Sequence, residues 1–100
     1  MAMGWDTVTI WRREAGGWSR VVATGVRVED ESSSTEALVG PSASSGLKVY
    51  FFRDPGARPG DYVAVGAVEG AEPTESARLV QRVAPWTLRH RYHHTEVTCA

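Results

Sequence analysis

Three histidines and the only cysteine lie close together near the end of the chain, and these residue types are the usual ligands of zinc. They are His90, His93, His94 and Cys99. A zinc site needs three or four such side chains to converge on one point. In an extended segment, alternate side chains point to opposite faces. His90 and His94 would then share one face, and His93 and Cys99 the other. We therefore predict no metal site and no cofactor.

Nucleophile and phosphate motifs are also missing from the sequence. Serines are plentiful, but none stands in a G-x-S-x-G elbow. Gly40 and Gly46 bracket the segment PSASS, yet no Gly-Lys-Ser/Thr follows, as a phosphate loop would require. Asp54 and Asp61 stand in Pro/Gly turns, where aspartate is favoured for its bonds to the backbone. We predict that the protein is not an enzyme.

Two segments mix aromatic residues with arginine, namely residues 50–53 (YFFR) and 86–92 (WTLRHRY). Such a mixture could stack the bases of a single-stranded nucleic acid. It is more typical of a barrel that buries its aromatic rings and places arginine outside. The net charge of −1 gives no general attraction to nucleic acid. Charge is nevertheless uneven, because Arg78, Arg82, Arg89 and Arg91 concentrate positive charge in the last quarter of the chain.

The chain has four tryptophans in 100 residues, which is more than a small core needs. Tryptophan is enriched among the residues that anchor protein interfaces. Some of the four could therefore contact neighbouring subunits, and the alternative is that they fill the core. The candidates are Trp5, Trp11, Trp18 and Trp86.

The segments that must position these residues read as short strands separated by tight turns. Residues 5–13 alternate with large apolar groups on both faces, so we expect both faces to be covered. Gly16-Gly17 supplies the positive φ of a hairpin turn. Residues 18–29 form a second strand, with a bulge or bend at Gly25.

Further strands are predicted at residues 47–53, 62–68 and 77–83, the last ending before Pro85. Residues 77–83 could instead form a short helix. Residues 86–92 and 95–99 read as one long or two short closing strands. We predict a single all-β domain over residues 1–100. It would be a small closed or nearly closed barrel of about six strands, with one long polar loop between strands two and three.

That long loop, residues 30–46 (DESSSTEALVGPSASSG), is unusual in a compact domain. Ordering its backbone would cost roughly 1–2 kcal/mol per residue, whereas burying one Leu or Val returns only roughly 1.5–3 kcal/mol. We therefore predict a flexible insert that orders only against a partner; the alternative is a passive spacer. The candidate contact residues are Glu29, Asp30, Glu31, Ala37, Leu38, Val39, Gly40 and Pro41.

The sequence also suggests where the protein is made. A single cysteine excludes an intramolecular disulfide and fits a reducing compartment. The N-terminus lacks the basic and apolar regions of a signal peptide, and no apolar run approaches membrane-spanning length. We expect a soluble protein that does not associate with membranes.

Two short elements give the chain a family resemblance. One is P-G-D-x-x-x-x-G, at Pro59, Gly60, Asp61 and Gly66, and the other is the closing H-x-E-V, at His94, Glu96 and Val97. With an N-terminal DTVTIWRR strand and a long polar insert after the second strand, the chain resembles the small minor capsid or head–tail connector proteins of tailed phages and prophages, of the head-closure (stopper) type.

The resemblance implies a structural virion protein made in the bacterial cytoplasm. Copies would form a ring between the portal or adaptor and the tail terminator. The insert would project towards the channel and help retain DNA, and the acidic run Glu29, Asp30 and Glu31 would keep double-stranded DNA from binding tightly as it passes. Two alternatives remain: a barrel that binds single-stranded nucleic acid, and a generic protein-interaction domain.

Overall fold

The computed structural model describes residues 4–30 and 46–100. Predictions for Glu31 and for residues 37–41 lie outside the described residues. Six strands are present: β1 Asp6–Glu14, β2 Gly17–Asp30, β3 Leu47–Phe51, β4 Tyr62–Val65, β5 Arg78–Leu88 and β6 Arg91–Cys99. They pair antiparallel and close into a barrel in the order β1-β2-β3-β6-β5-β4. The predicted all-β barrel of six strands is thereby confirmed.

Strand β1 is buried on both faces, as its sequence pattern predicted. Val8 and Ile10 point into the core. Thr9 and Trp11, on the other face, are both 0% exposed. The segment between β4 and β5 covers this second face and bonds to both of these residues.

The core lies inside the barrel and is built mainly from β-branched residues, which suit a pleated surface. Its buried members come from all six strands and from one turn: Val8, Ile10, Val26, Leu47, Val49, Phe51, Ala57, Val63, Val80, Val97 and Cys99.

Gly25 marks a bulge in β2, as predicted. Its φ is +71°, a left-handed value that glycine adopts without strain. The β1–β2 register shifts there, since Asp6 pairs with Val26 but Thr7 pairs with Thr24. Beyond the bulge β2 pairs with β3, from Arg27 to Asp30. The bulge therefore lets one long strand serve two parts of the barrel.

Residues 78–83 belong to a strand and not to a helix, with Ala77 just before it, and the predicted end before Pro85 was wrong. Strand β5 continues to Leu88, with Pro85 opposite Thr95 of β6. Proline lacks an N–H group but is tolerated on an edge. Strand β5 pairs with β4 only at Arg78 and Leu79. Among the described residues, no strand therefore lies on the other side of Pro85, and no N–H donor is needed there.

Strands β5 and β6 form a hairpin whose turn lies at residues 89 and 90. The sequence had placed a strand across these residues, from 86 to 92, and that prediction was wrong. Leu88 pairs with Arg91, so Arg89 and His90 form a two-residue turn. Their φ values are 54° and 68°, as in the mirror-image turns that join twisted strands. Such turns usually contain Gly or Asn, and this one offers neither as a sequence signal.

Strands β3 and β4 are shorter than predicted because turns end them. The chain leaves β3 after Phe51, ahead of the turn at Asp54, whose Oδ1 accepts a bond from the Gly56 amide at 3.0 Å. It leaves β4 at Gly66, where φ is +99°.

A buried ion pair fixes the Pro59-Gly60-Asp61 turn against β1. Asp61 is 4% exposed and accepts from Arg12 Nε at 3.2 Å and Nη2 at 3.0 Å. It also accepts from the Arg58 amide at 2.9 Å, and Arg12 donates to the Gly56 carbonyl as well. The hydrogen bond to Asp61 raises the pKa of Arg12. The Arg12 side chain thus ties the turn to β1, and backbone bonds of Gly60 and Asp61 with Val80 tie it to β5.

Candidate interaction surface

The β5–β6 hairpin extends past its neighbours, and we call residues 82–94 the arm. Strand β4 pairs with β5 only at Arg78 and Leu79, and β3 pairs with β6 only from Thr95 onward. The arm therefore has no strand beside it within the described residues. At its base Val83 packs against the core, and Tyr92 and His94 contact Phe51 and Tyr50 of β3. The tip of the arm extends past the last paired residues of β3 and β4.

Three large apolar side chains of the arm face solvent. Trp86 is 52% exposed, Leu88 61% and Tyr92 42%. The Tyr92 hydroxyl lies 2.7 Å from Thr95 Oγ1, which ties the ring to the base of the arm. Single exposed apolar residues are ordinary, but a group on one projecting element marks an interaction site.

Aromatic rings continue from the arm onto the outer face of β3 and β6. The Trp86 ring stacks on His94 with centroids 6.0 Å apart and planes within 3° of parallel. His94 in turn lies 5.9 Å from Tyr50 and 6.4 Å from Phe52. Burial, together with the charge of Glu29, raises the pKa of Tyr50 above its ordinary value. These four residues form a continuous aromatic surface.

The arm is basic. Arg82, Arg89 and Arg91 are exposed, and residues 82–94 contain no acidic residue. The nearest carboxylate along the chain is that of Glu96. It is already 3.7 Å from Lys48 Nζ and 3.0 Å from His94 Nε2, so it does not neutralise the arm.

A second charged surface is the segment that covers β1, residues 66–77, which we call the acidic loop. The Thr9 hydroxyl donates to the Gly66 carbonyl at 2.7 Å and accepts from the Val68 amide at 2.9 Å. Trp11 Nε1 donates to the Gly70 carbonyl at 2.9 Å. The loop contains three exposed glutamates and no basic residue; the glutamates are Glu69, Glu72 and Glu75.

The four tryptophans lie in different environments. Trp5 is 78% exposed and Trp86 52% exposed, so both are free to contact a neighbour. Trp18 is partly buried beside Tyr62, with ring centroids 5.9 Å apart. Trp11 is fully buried and bonded to Gly70. It is not accessible as an anchor, because the acidic loop covers it.

The acidic run before the insert is only partly described. Glu29 pairs with Arg27 at 3.2 Å and accepts a hydrogen bond from the Tyr50 hydroxyl at 3.3 Å, so its charge is balanced locally. Asp30 ends β2 opposite Leu47. Glu31, Ala37, Leu38, Val39, Gly40 and Pro41 lie outside the described residues.

His93 and His94 do not point to opposite faces, as alternation along an extended strand predicts. His93 has no partner on β5, because Trp86 pairs with His94 and Thr87 with Tyr92. This bulge lets the two neighbouring rings meet, with their Nδ1 atoms 2.8 Å apart. Cys99 is buried instead, and burial raises the pKa of its thiol to about 11. Within residues 4–30 and 46–100, no three metal-ligating side chains are grouped.

An open groove of about 600 Å³ runs between β2 and the turn after β3. Its walls include Val21, Val22 and Phe52, with Arg53 and Asp54 at one end. Among the described residues, residues 17–26 of β2 pair with β1 only, so the groove follows a strand edge that no described strand occupies. Strand edges of this kind accept extended peptide segments.

Sequence reasoning treated residues 69–76 as a connection and missed the acidic loop as a surface. The signal was present, since three glutamates stand there without a basic residue. What was missing was the partner surface, because the arm becomes visible only when the turn at residues 89 and 90 is located.

No helix within the described part of the chain is long and apolar enough to cross a membrane. Comparison with protein-family models, with curated proteins and with solved structures gives no match to this chain.

Proposed function

We propose that this protein is a structural subunit of the head–tail connector of a tailed phage or prophage. Copies of it would form a ring that joins the portal or adaptor to the tail and helps to close the DNA channel. The observation that carries the proposal is the arm, which exposes Trp86, Leu88 and Tyr92 on a projecting hairpin. A ring subunit has neighbours that cover such a surface, whereas a monomer leaves it exposed to water.

The resemblance supplies the viral part of the proposal. Its motif residues have structural contacts here: Asp61 bonds to Arg12, and Glu96 bridges Lys48 and His94. They support the barrel, and the insert between β2 and β3 occupies the position that the resemblance assigns to the channel loop. Because Arg27 balances Glu29, repulsion of DNA at that loop would depend on Asp30 and Glu31.

Deletion of the gene tests this function. We expect the genes beside it to encode portal, capsid and tail proteins, and we expect the deletion to yield DNA-leaking heads separated from tails. Electron microscopy of the particles is the measurement, and complementation with the intact gene is the control. Normal tailed, infectious particles from the deletion strain would refute the proposal.

A second candidate function is binding of single-stranded nucleic acid, favoured by the stack of Trp86 on His94 beside the basic arm. Stacking of a base on an aromatic ring contributes about 1–3 kcal/mol. Titration with a single-stranded oligonucleotide over a salt series would show a steep loss of affinity with salt. Trp86→Ala should weaken binding by about 5- to 150-fold, and Trp5→Ala, outside the arm, should leave it unchanged. No binding at low salt would exclude this function.

A further inference from the structure

The arm and the acidic loop carry equal and opposite charge. Residues 82–94 contain three arginines and no acidic residue, and residues 66–77 contain three glutamates and no basic residue. Among the described residues, Arg82, Arg89 and Arg91 form no ion pair, and neither do Glu69, Glu72 and Glu75. Each surface therefore has its charge available for a partner.

The charges of opposite sign near each surface do not cancel it. Glu96, at the base of the arm, is held by Lys48 and His94. Arg20, beside the acidic loop, donates to the neutral Val68 carbonyl at 2.8 Å and keeps its charge, but the three glutamates of the loop outnumber it. Among the described residues, the arm therefore stays net positive and the loop net negative.

The tip of the arm lies far from the acidic loop of the same molecule. The loop is bonded to β1 through Thr9 and Trp11, and it ends where β5 begins, at Arg78. Leu88, at the tip, lies ten residues farther along β5, which is about 33 Å in an extended strand. Contact between the tip of the arm and the loop therefore requires two molecules.

We propose that the arm of one copy docks on the acidic loop of the next copy, head to tail. This inference rests on the proposed function, since it names the contact that would join subunits of the ring. A two-fold contact would also pair each arm with the loop of the other copy, but it stops at a dimer and builds no ring. A head-to-tail contact pairs opposite charges and, when the rotation closes, produces a ring.

The apolar residues of the arm fit the same contact. Trp86 and Leu88 would lose solvent exposure against a neighbour, as interface anchors do. The acidic loop offers small or rigid residues there, with Ala67 and Ala71 exposed and Pro73 partly buried. Small side chains leave room for a large ring between the glutamates.

Charge reversal tests the contact. We would compare wild type with an arm variant (Arg89→Glu with Arg91→Glu) and a loop variant (Glu72→Arg with Glu75→Arg) by sedimentation at high protein concentration. Wild type should associate at low salt and dissociate in about 1 M salt, where the screening length is about 3 Å. Each variant should associate at least about tenfold more weakly than wild type, because the attraction between arm and loop becomes a repulsion. Circular dichroism checks that each variant is folded.

Mixing the two variants tests whether opposite charges at these two surfaces restore association. The arm variant retains an acidic loop and the loop variant retains a basic arm, so the mixture should associate more strongly than either component alone. The variant with all four substitutions should also recover association, and because it keeps the wild-type net charge of −1, its recovery distinguishes this contact from a general effect of net charge. Wild type that stays monomeric at low salt, or a mixture that does not associate, overturns the inference. So does an arm variant that loses oligonucleotide binding but sediments as wild type does.

Cross-linking gives a second measurement. A protein with Leu88→Cys and Glu72→Cys should form a ladder of dimers, trimers and larger species on oxidation, because each copy carries both halves of the contact. Either cysteine alone should give no ladder, and buried Cys99 should not interfere. A dimer as the largest product would contradict a head-to-tail contact.

The inference and the proposed function can fail separately. If charge reversal leaves association intact but the deletion strain makes tailless heads, the connector function stands and the arm–loop contact falls. If the variants behave as expected but the deletion strain makes normal particles, the contact stands and the viral function falls.

Discussion

At the scale of single residues, the Arg12–Asp61 pair joins a partly exposed guanidinium to a buried carboxylate. Asp61 is almost fully buried, and two nitrogens of Arg12 and one backbone amide bond to its carboxylate. Removing one member of such a pair leaves the other without its partner, which costs more than the loss of an exposed contact.

We expect Asp61→Ala to lower the free energy of unfolding by about 3 kcal/mol. Urea denaturation measures this change. Asp54→Ala is the matched control, since Asp54 also stands in a turn but accepts one exposed bond, from Gly56; it should cost about 1 kcal/mol. Equal losses for the two variants would show that the buried pair contributes no more than an ordinary turn.

Cys99 makes stability depend on alkaline pH. Burial raises its pKa from 9.0 to about 11, so between these values the unfolded chain has lost a proton that the folded chain keeps. The free energy of unfolding should therefore fall with rising pH, by at most about 1.4 kcal/mol per pH unit from this group.

The Cys99→Ala variant isolates that effect. It should be less stable than wild type at neutral pH because of the cavity it creates. The difference in free energy of unfolding between wild type and the variant should narrow as the pH rises from 9 to 11, because only wild type is destabilised by ionisation of the thiol in the unfolded chain. Urea denaturation across this range measures it, and a constant difference would contradict the raised pKa.

At the scale of elements, the turn of the arm is strained. Arg89 and His90 both have positive φ, which costs an ordinary residue about 1 kcal/mol. His90→Gly should relieve the strain at one position and raise the free energy of unfolding by about 1 kcal/mol, without changing the arginines of the arm.

The opposite substitution in the first hairpin is the control. Gly16 has φ +89°, and an added Cβ would meet no atom within 4 Å, so Gly16→Ala tests backbone strain alone. It should lower stability by about 1 kcal/mol. Thermal or urea unfolding measures the change in the free energy of unfolding for both variants. If both variants were destabilised, or both stabilised, the arm turn would not be strained.

Bulges explain why alternation patterns failed at particular places. Val80 and Val83 both pack on the core, although three positions apart, because the register shifts between Val80 and Arg82. The shift at His93 likewise brings its ring to that of His94. One inserted residue moves every later side chain to the other face.

At the scale of the whole molecule, the barrel is closed by one short seam. Strands β4 and β5 pair through two residues each, with backbone bonds from Gly60 to the Val80 carbonyl at 3.0 Å and from Val80 to the Asp61 carbonyl at 2.7 Å. By contrast, β1 and β2 pair along nine residues of β1. The β4–β5 seam therefore has the fewest paired residues of any strand pair in the barrel.

We expect the barrel to open first between β4 and β5. In native-state hydrogen exchange, the Val80 amide should exchange through an opening of lower free energy than global unfolding. The Val97 amide is the control, since β6 is paired on both sides there, with β3 and with β5. Identical opening energies for the two amides would show that the seam opens only with the whole barrel.

The sequence by itself determined the fold class, because alternation and Gly/Pro turns are local properties that strands impose on a chain. It also located the bulge at Gly25 and the double burial of β1, whose apolar residues lie on both faces. These features depend on residues near one another in the chain, where pattern and conformation are directly linked.

Only the tertiary structure decided which surfaces are exposed. Trp11 and Trp86 give the same signal in the sequence, namely a tryptophan in a strand. The acidic loop covers Trp11, whereas Trp86, stacked on His94, stays 52% exposed. The arm exists because β3 and β4 end early, and its turn lacks the glycine or asparagine that would have revealed it. Burial and charge segregation depend on contacts between distant segments, and these arise only when the barrel closes.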